Sequence, residues 1–256
     1  MPQMPRREST CTAVGTLPLL KAGHRVGHGN TIIMEACEYY NSFLSLHPTV
    51  AVVLNVEADH LDFFSGIEEI IESFKTFAHK LPEDGILIIH KDMDCYNRIV
   101  EGLPANIITF GLSEGCDYSA TDITYDAAGC ASYTLKILGS EITRITLHVN
   151  GEHNVINSLS AIAAADLLGI DRSAITAGLA SFHGAKRRFE KKGTWNGVTI
   201  VDDYAHHPTE IKATLKAAQK TEHNKLWCVF QPHTYSRTKA LLPEFAEALH
   251  TADHVV

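Results

Sequence analysis

The sequence contains no apolar run that approaches the length of about 18 residues needed to span a membrane. Arg6 and Arg7 lie near the start, but no apolar stretch follows them, so this region does not have the pattern of a secretory signal. The six cysteines form no Cys-x-x-Cys pair, which argues against a zinc ribbon and against the disulfide framework of a secreted protein. We therefore expect a cytoplasmic protein with free thiols and no membrane contact.

Positive charge is also scarce, because 22 lysines and arginines face 30 aspartates and glutamates, for a net charge of −8. A general nucleic-acid binder needs a basic surplus to neutralise phosphates, so we expect no nucleic-acid partner. A hydrophobic fraction of 45% is typical of a globular protein, and 256 residues suit two domains.

Short apolar runs alternate with helical stripes along the first half of the sequence. This alternation predicts an α/β fold in which helices cover a mostly parallel sheet. The predicted elements are buried strands at 31–35, 50–55, 85–90 and 106–110, and helices at 66–80 and 92–100.

The pattern then changes twice. Three β-rich runs at 117–125, 130–138 and 141–149 predict an antiparallel meander, and two helices follow at 151–168 and 171–182. A second alternating unit begins near residue 183, so we expect domains at 1–183 and 184–256. Its predicted elements are strands at 198–202, 226–230 and 254–256 and helices at 208–220 and 236–250, with the first two strands adjacent.

Polar residues follow two of the strands predicted in the first domain. Glu35 and Glu38 come after one strand, and Asn55, Glu57, Asp59 and His60 come after the next. The carboxyl ends of parallel strands form a crevice for ligands, and these side chains suit Mg²⁺ or Mn²⁺. The alternative is that they are ordinary charged loop residues.

Two further groups of residues have side chains that can bind a nucleotide. Asn154 and Asn157 share one face of a predicted helix start, where amides can bind the edge of a purine or simply cap the helix. The run Lys186, Arg187 and Arg188 offers guanidinium groups for a phosphoryl group, or else forms a solvated basic hinge.

Two polar clusters in the second domain, at 202–208 and 231–237, each follow a predicted strand and precede a helix. Their matching positions favour a shared ligand site. A zinc site made of His206, His207 and His233 is an alternative, although adjacent histidines project in different directions.

Together, the runs EACEYYNSFL, NVEADHLDFF, GEHNVINSLS, GAKRRFE, VDDYAHHPTE and QPHTYSRT are similar to the Mur ligase family. These are ATP-dependent amino-acid ligases of peptidoglycan synthesis. The blocks DDYAHHPTE and QPHTYSRT most resemble the branch that joins L-alanine to UDP-N-acetylmuramate. The resemblance covers roughly residues 14–256.

The resemblance implies a partial P-loop-type central domain that binds ATP, followed by an incomplete Rossmann-like domain that binds the amino acid. It also implies an N-terminal part of the same enzyme, with a UDP-sugar domain and a phosphate-binding loop. This chain contains no Gly-x-x-Gly-Lys-[Ser/Thr] sequence, so we expect it to be inactive alone.

The resemblance also implies roles for individual residues, with Arg188, His206 and Arg237 as the catalytic ones. Thr234 occupies a position where some relatives have a basic residue, which puts its own role in doubt. The implied contacts are Glu35 and His60 with two Mg²⁺ ions, Asn55 with the phosphate side of the site, Asn154 and Asn157 with adenine, Arg188 with the phosphates, Asp203 with the ribose, and Tyr204, His206, His233 and Arg237 with L-alanine and the reacting carboxyl.

The implied reaction passes through an acyl phosphate. The sugar carboxylate attacks the γ-phosphoryl group of ATP, and the amine of L-alanine then displaces phosphate. We expect Glu35 and His60 to lie within about 10 Å of each other, so that they can serve neighbouring Mg²⁺ ions. The alternatives are another amide ligase of the superfamily, similar to folylpolyglutamate synthetase, and a non-catalytic nucleotide-binding fragment.

Overall fold

A computed structural model of the protein describes residues 10–17 and 22–256. A small sheet lies at the start, with its strands in the order β2-β1-β3, and β1 pairs antiparallel with β2 and parallel with β3. Its strands are β1 (Thr10–Leu17), β2 (Ala22–Arg25) and β3 (Ile32–Met34).

The strand β3 confirms the prediction for residues 31–35, but its predicted burial is wrong. Ile32, Ile33 and Met34 are 67%, 49% and 52% exposed. An apolar run is buried only where another layer of the structure packs against it. The sequence pattern alone does not show whether such a layer exists.

A six-stranded sheet forms the centre of the fold, in the order β4-β5-β6-β7-β8-β9. The first four strands pair in parallel, and β8 and β9 continue the sheet in antiparallel pairing, which confirms the predicted parallel sheet and meander. The strands are β4 (Val50–Val53), β5 (Ile86–His90), β6 (Asn106–Gly111), β7 (Tyr118–Tyr125), β8 (Cys130–Ile137) and β9 (Ser140–Asn150).

Four α-helices and one 3-10 segment accompany this sheet. The apolar face of α3 packs on it, so that Leu159 and Ile162 share a buried core with Ile88 and Phe110. The elements are the 3-10 segment Tyr39–Ser45, α1 (Ile67–Ala78), α2 (Tyr96–Val100), α3 (Glu152–Leu167) and α4 (Arg172–Ser181).

The helix predicted at 92–100 is present only as the shorter α2. The carboxylate of Asp92 accepts the N–H groups of Leu112 and Ser113 at 2.7 and 3.2 Å, so this residue is held by the loop after β6. Asp171 is the N-cap of α4, although its side chain makes no capping hydrogen bond.

After α4, the chain forms a hairpin of β10 (Glu190–Trp195) and β11 (Val198–Asp202). Asn196 and Gly197 connect the strands with φ angles of 48° and 81°, the left-handed geometry that an Asn-Gly turn favours. The sequence analysis missed β10. The predicted adjacency of the strands at 198–202 and 226–230 stays a prediction, because the two strands belong to different compact units.

The C-terminal segment (Ala205–Val256) forms a small α/β layer. Ile211, Leu215, Phe245 and Ala248 make its buried core. The single helix predicted at 236–250 is two helices, separated at Leu241, whose φ of −115° and ψ of 25° are not helical. The elements are α5 (Pro208–Gln219), β12 (Trp227–Cys228), α6 (Tyr235–Ala240), α7 (Leu242–Leu249) and β13 (His254–Val255), with β12 and β13 parallel.

The described residues divide into two compact units. One contains the residues up to Cys37 together with His183–Tyr204, and the other contains Glu38–Phe182 together with Ala205–Val256. The domain division at residues 183 and 184 stays a prediction. In the described part of the chain, no helix is both long enough and apolar enough to cross a lipid bilayer.

Tyr133 offers a test of how the core is held together. It is fully buried on β8, and its hydroxyl lies 2.6 Å from the Ser158 hydroxyl, which itself donates to the Val155 carbonyl at 2.6 Å. Because the Ser158 hydrogen is already committed, the Tyr133 hydroxyl is the donor between the two. Burial raises the pKa of Tyr133 to about 12.

We predict that Tyr133→Phe lowers the free energy of unfolding at neutral pH by about 0.5–1.5 kcal/mol, the net value of one hydrogen bond. A raised pKa in the folded state contributes stability below the unfolded pKa of about 10, and that contribution is lost as the pH rises toward about 12. Urea unfolding from pH 7 to pH 11 should therefore show a steeper alkaline loss in the wild type than in the variant. Tyr235→Phe, at a tyrosine that is 98% exposed, is the control. Equal slopes for wild type and Tyr133→Phe would contradict the assignment.

Candidate functional site

The candidate site is built on the loop at residues 55–60, which we call the β4 loop because it follows the carboxyl end of β4. This is where a parallel sheet presents ligand-binding residues. Asn55 donates a side-chain hydrogen bond to Glu57, and the Asp59 N–H donates to the Glu57 carbonyl at 2.9 Å. His60 has a φ of 54°, a left-handed conformation that is uncommon for a residue with a side chain.

Asp59 holds the end of this loop. One of its oxygens, Oδ1, accepts the His60 N–H at 2.7 Å and also two bonds from Arg237, at 2.6 Å from Nη2 and 3.1 Å from Nε. Burial alone would raise the pKa of Asp59, but the His60 N–H and the Arg237 guanidinium outweigh it and lower that pKa. The carboxylate is thus held charged against a partner 178 residues away in the sequence.

His207 makes a second contact between the C-terminal segment and the β4 loop. Its Nε2 lies 3.2 Å from the Ala58 carbonyl and its Nδ1 lies 3.4 Å from the Glu57 carboxylate, while only 12% of the side chain is exposed. His207 is also the N-cap of α5, where its Nδ1 accepts the Thr209 N–H at 3.4 Å. The start of α5 therefore lies directly against the β4 loop.

The His60 imidazole is held by an aromatic ring and lies close to two carboxylates. It stacks on the Tyr39 ring with a centroid distance of 4.3 Å, and its Nε2 lies 3.4 Å from Glu38 and 3.9 Å from Asp59. Tyr39 donates a hydrogen bond of 2.5 Å to Asp62, and this bond raises the pKa of the Tyr39 hydroxyl. The arrangement fixes the ring plane of His60 beside acidic oxygen atoms.

Mg²⁺ prefers oxygen ligands and usually takes one or two carboxylates with several waters, so the Glu38 carboxylate is the donor here that suits it, whereas imidazole is a more usual ligand of softer metals. Within the described ranges, no group of three histidine, cysteine or acidic side chains is arranged to hold a metal. Glu35 follows β3 in the other unit, and its predicted proximity to His60 stays a prediction.

Open space adjoins the β4 loop at the carboxyl ends of β4 and β5. A cavity of about 500 Å³ is lined there by Asn55 and Glu57 of the loop and by His90 and Asp92 after β5. Asn55, predicted to lie on the phosphate side of a nucleotide, thus borders a space that can admit a ligand. Its contact with a nucleotide stays a prediction.

The two asparagines of α3 lie in its first turns, as predicted. Asn154 donates from its side chain to the Asn150 carbonyl at 2.7 Å, which ties the helix start to the end of β9. Asn157 is three residues further along and is also only partly buried. Both therefore have accessible atoms on one side of α3, and their contact with adenine stays a prediction.

Three further predicted residues belong to the smaller unit, which also contains Glu35. Asp203 accepts the Phe189 N–H at 2.7 Å, and the Arg187 guanidinium lies 4.6 Å from the centre of the Tyr204 ring. Arg188 is exposed on the same turn. Their predicted roles toward ribose, phosphates and amino acid stay predictions.

The three histidines of the zinc alternative have different surroundings. The Nδ1 of His206 lies 3.4 Å from Glu210 within α5, His207 contacts the β4 loop, and His233 is exposed. The described geometry therefore does not support a zinc site made from these three side chains.

The sequence analysis placed Glu38 and Asp59 in the candidate group of metal ligands but gave neither a role of its own. It considered His207 only as part of a zinc site. A signal for His207 was present, because a residue followed by proline and then by glutamate three positions later is typical of a capping box. No local signal marks Asp59 as the partner of Arg237.

Comparison with known proteins adds a family to this geometry. Residues 5–165 match the model of the Mur ligase middle domain, and residues 187–256 match that of the Mur ligase glutamate ligase domain. Because the first match alone spans more than half of the chain, the chain belongs to the Mur ligase family. The matched segments include the β4 loop and the C-terminal residues that contact it.

Individual relatives are more specific. The UDP-N-acetylmuramate–L-alanine ligase of Lachnospira eligens is 53% identical over 250 residues, which are 97% of this chain and 54% of the relative. The fold is similar to that of the crystal structure of MurC, a UDP-N-acetylmuramate-alanine ligase of Thermotoga maritima, with a TM-score of 0.79, 24% identity, and coverage of 98% of this chain and 55% of that one. It is also similar to MurF ligase of Thermotoga maritima in complex with ADP, with a TM-score of 0.76, 23% identity, and coverage of 98% and 60%. The chain spans about half the length of the curated relatives that it matches.

We predict that the bond between Asp59 and Arg237 can be measured as a coupling energy. Arg237→Ala should lower the free energy of unfolding by about 1.5–3 kcal/mol, because it leaves a half-buried carboxylate without its charged donor. The same change in an Asp59→Asn background should cost less, and urea unfolding of the four proteins gives the difference. Lys239→Ala, at an exposed cation of the same helix, is the control. An equal cost of Arg237→Ala in both backgrounds would show that the pair does not interact.

Proposed function

We propose that this chain is the catalytic part of an ATP-dependent ligase that joins L-alanine to UDP-N-acetylmuramate in peptidoglycan precursor synthesis. The observation that carries the proposal is the contact between the β4 loop and the C-terminal segment, through His207 and Arg237. This contact places the β4 loop, which carries side chains that can bind a metal ion, against the first residues of α5 and α6. The identity of 53% to the Lachnospira eligens ligase supports the choice of substrates.

We assign the β4 loop to metal and phosphate. A bound Mg²⁺ ion would neutralise phosphate charge and so reduce the repulsion between two reacting anions. Glu38 and His60 are the side chains that would hold it in the larger unit, and Glu35 is a further candidate in the smaller one. Asn55 borders the adjoining cavity and would contact the phosphate side of ATP.

The remaining predicted residues take their roles from the chemistry of their groups. Asn154 and Asn157 would bind the adenine edge, Asp203 the ribose, and Arg188 the phosphates during transfer. The list for the amino acid and the reacting carboxyl is Tyr204, His206, His233 and Arg237. Among these, the His206 imidazole would hold the attacking amine or accept its proton as a general base.

We further propose a partner and a location. The partner is an N-terminal part of the same enzyme, which would bring the UDP-sugar domain and the phosphate-binding loop. The domain that receives the amino acid would begin near residue 184. A cytoplasmic location follows from the proposed substrates, which are soluble precursors.

The test joins this chain to the N-terminal part of the Lachnospira eligens relative and measures ADP formation. The joined protein should form ADP over many turnovers only when UDP-N-acetylmuramate and L-alanine are both present, because the acyl phosphate is consumed only when the amine of L-alanine displaces its phosphate. The 256-residue chain alone should form none, since it has no phosphate-binding loop. His60→Ala in the joined protein is the control for activity that depends on this site. Sustained ADP formation that does not depend on L-alanine, or that requires glutamate instead, would overturn the choice of L-alanine as the amino-acid substrate.

A further inference from the structure

Asp59 and His207 have no role in the ligase chemistry assigned above, yet both lie at the contact between the β4 loop and the C-terminal segment. We propose that Asp59 and His207 are positioning residues, which transmit the position of the C-terminal segment to the His60 imidazole. The proposal rests on the proposed function only where it concerns a metal ion. The positioning itself is a property of this chain.

The conformation of His60 needs outside support. Its φ of 54° is one that residues with a side chain adopt at a cost, so the surrounding contacts must maintain it. The Asp59 carboxylate supplies one contact by accepting the His60 N–H at 2.7 Å. The N–H groups of Phe63 and Phe64 supply two more, because each donates to the His60 carbonyl at 2.9 Å.

Asp59 can serve as this acceptor because Arg237 stabilises its charge. The guanidinium donates twice to the same oxygen that accepts the His60 N–H, and only 13% of the Arg237 side chain is exposed. Without that cation, a half-buried carboxylate would lose its main compensation for burial. The position of Arg237 at the start of α6 therefore decides how firmly the His60 backbone is held.

His207 holds the other half of the loop. Its Nδ1 accepts the Thr209 N–H, so its Nε2 carries the proton and faces the Ala58 carbonyl at 3.2 Å, two residues before His60. Since His207 is also the N-cap of α5, any movement of α5 moves this contact as well. The β4 loop is thus attached at two points to two different helices of the C-terminal segment.

These two attachments connect the β4 loop, at the edge of the six-stranded sheet, to the C-terminal segment of the same unit. When the C-terminal segment lies as in this structure, the loop is held and the His60 ring faces Glu38 and the Tyr39 ring. Without these two attachments, His60 is free to leave the left-handed conformation, and its ring loses its orientation toward Glu38.

The first arm of the test measures amide hydrogen exchange in the 256-residue chain. His207→Ala and Arg237→Gln should each speed exchange at the amides of His60, Phe63 and Phe64 by at least about tenfold, the effect expected from losing one charge-assisted bond. Amides of β5, in the buried part of the sheet, should keep their wild-type rates and so show that the fold is intact. His223→Ala and Lys239→Ala, at exposed residues of the same segment, are the matched controls and should change neither region.

The second arm detects the orientation of His60 with Mn²⁺ as a paramagnetic probe. In the wild type, the His60 ring signal, assigned with His60→Gln, should broaden at lower Mn²⁺ concentrations than the other histidine signals. In His207→Ala and Arg237→Gln the required concentration should rise by about tenfold, although neither side chain contacts Glu38 or the His60 ring. Arg237→Lys, which restores a cation, should recover part of the loss.

The two arms separate the positioning role from the proposed function. Wild-type rates at the three amides in both variants would overturn the positioning role, whatever Mn²⁺ does. Faster exchange without any broadening of the wild-type His60 signal would support the positioning role and contradict the metal assignment. Faster exchange at β5 as well would show general destabilisation and would also overturn the positioning role, because the effect must be confined to the loop.

Discussion

The carboxylate of Asp59 is shared between two parts of the chain that are far apart in sequence. One of its oxygens accepts the backbone N–H of His60 and two bonds from the guanidinium of Arg237. A half-buried carboxylate is stable only when donors replace the water that it has lost. Because one donor comes from the β4 loop and the other from α6, folding of the C-terminal segment and ordering of the loop depend on each other.

The direction of the strands explains why the contact between Asp59 and Arg237 lies at the carboxyl ends of the parallel strands. In β4, β5 and β6 the strands run parallel, so their carboxyl ends lie along one edge and their loops are neighbours. The chain uses that edge for polar residues and uses the faces of the sheet for the apolar core with α3. The sheet thus carries the β4 loop, and contacts with the C-terminal segment stabilise the conformation of that loop.

Much of the fold follows from local patterns in the sequence. The stripe that becomes α1 and the apolar run that becomes β5 are each bounded as the periodicity predicts, because packing against a core requires those spacings. The hairpin strand β10 was missed because its run of glutamate, lysines and glycine has no apolar alternation. The burial of β3 was wrongly predicted because apolar composition does not reveal whether a neighbouring layer is present.

The residues of the candidate site were also only partly predictable from the sequence. His60 and Arg237 were identifiable because their motifs resemble those of the family, and the structure connects them through Asp59. His206 was chosen over His207, since both are adjacent and only their surroundings distinguish them. The pairing of Asp59 with Arg237 depends on long-range folding, so no spacing rule within one element can reveal it.

The proposal that His60 of the β4 loop and Glu38 bind a divalent metal ion while Arg237 holds the loop through Asp59 can be tested directly by anomalous scattering. Crystals of the 256-residue chain soaked in Mn²⁺ should show an anomalous peak about 2.0–2.3 Å from the His60 Nε2 and beside the Glu38 carboxylate. The bond from Arg237 to Asp59 should be intact in the same crystal. A well-occupied Mn²⁺ peak elsewhere, with none at His60, would contradict the account.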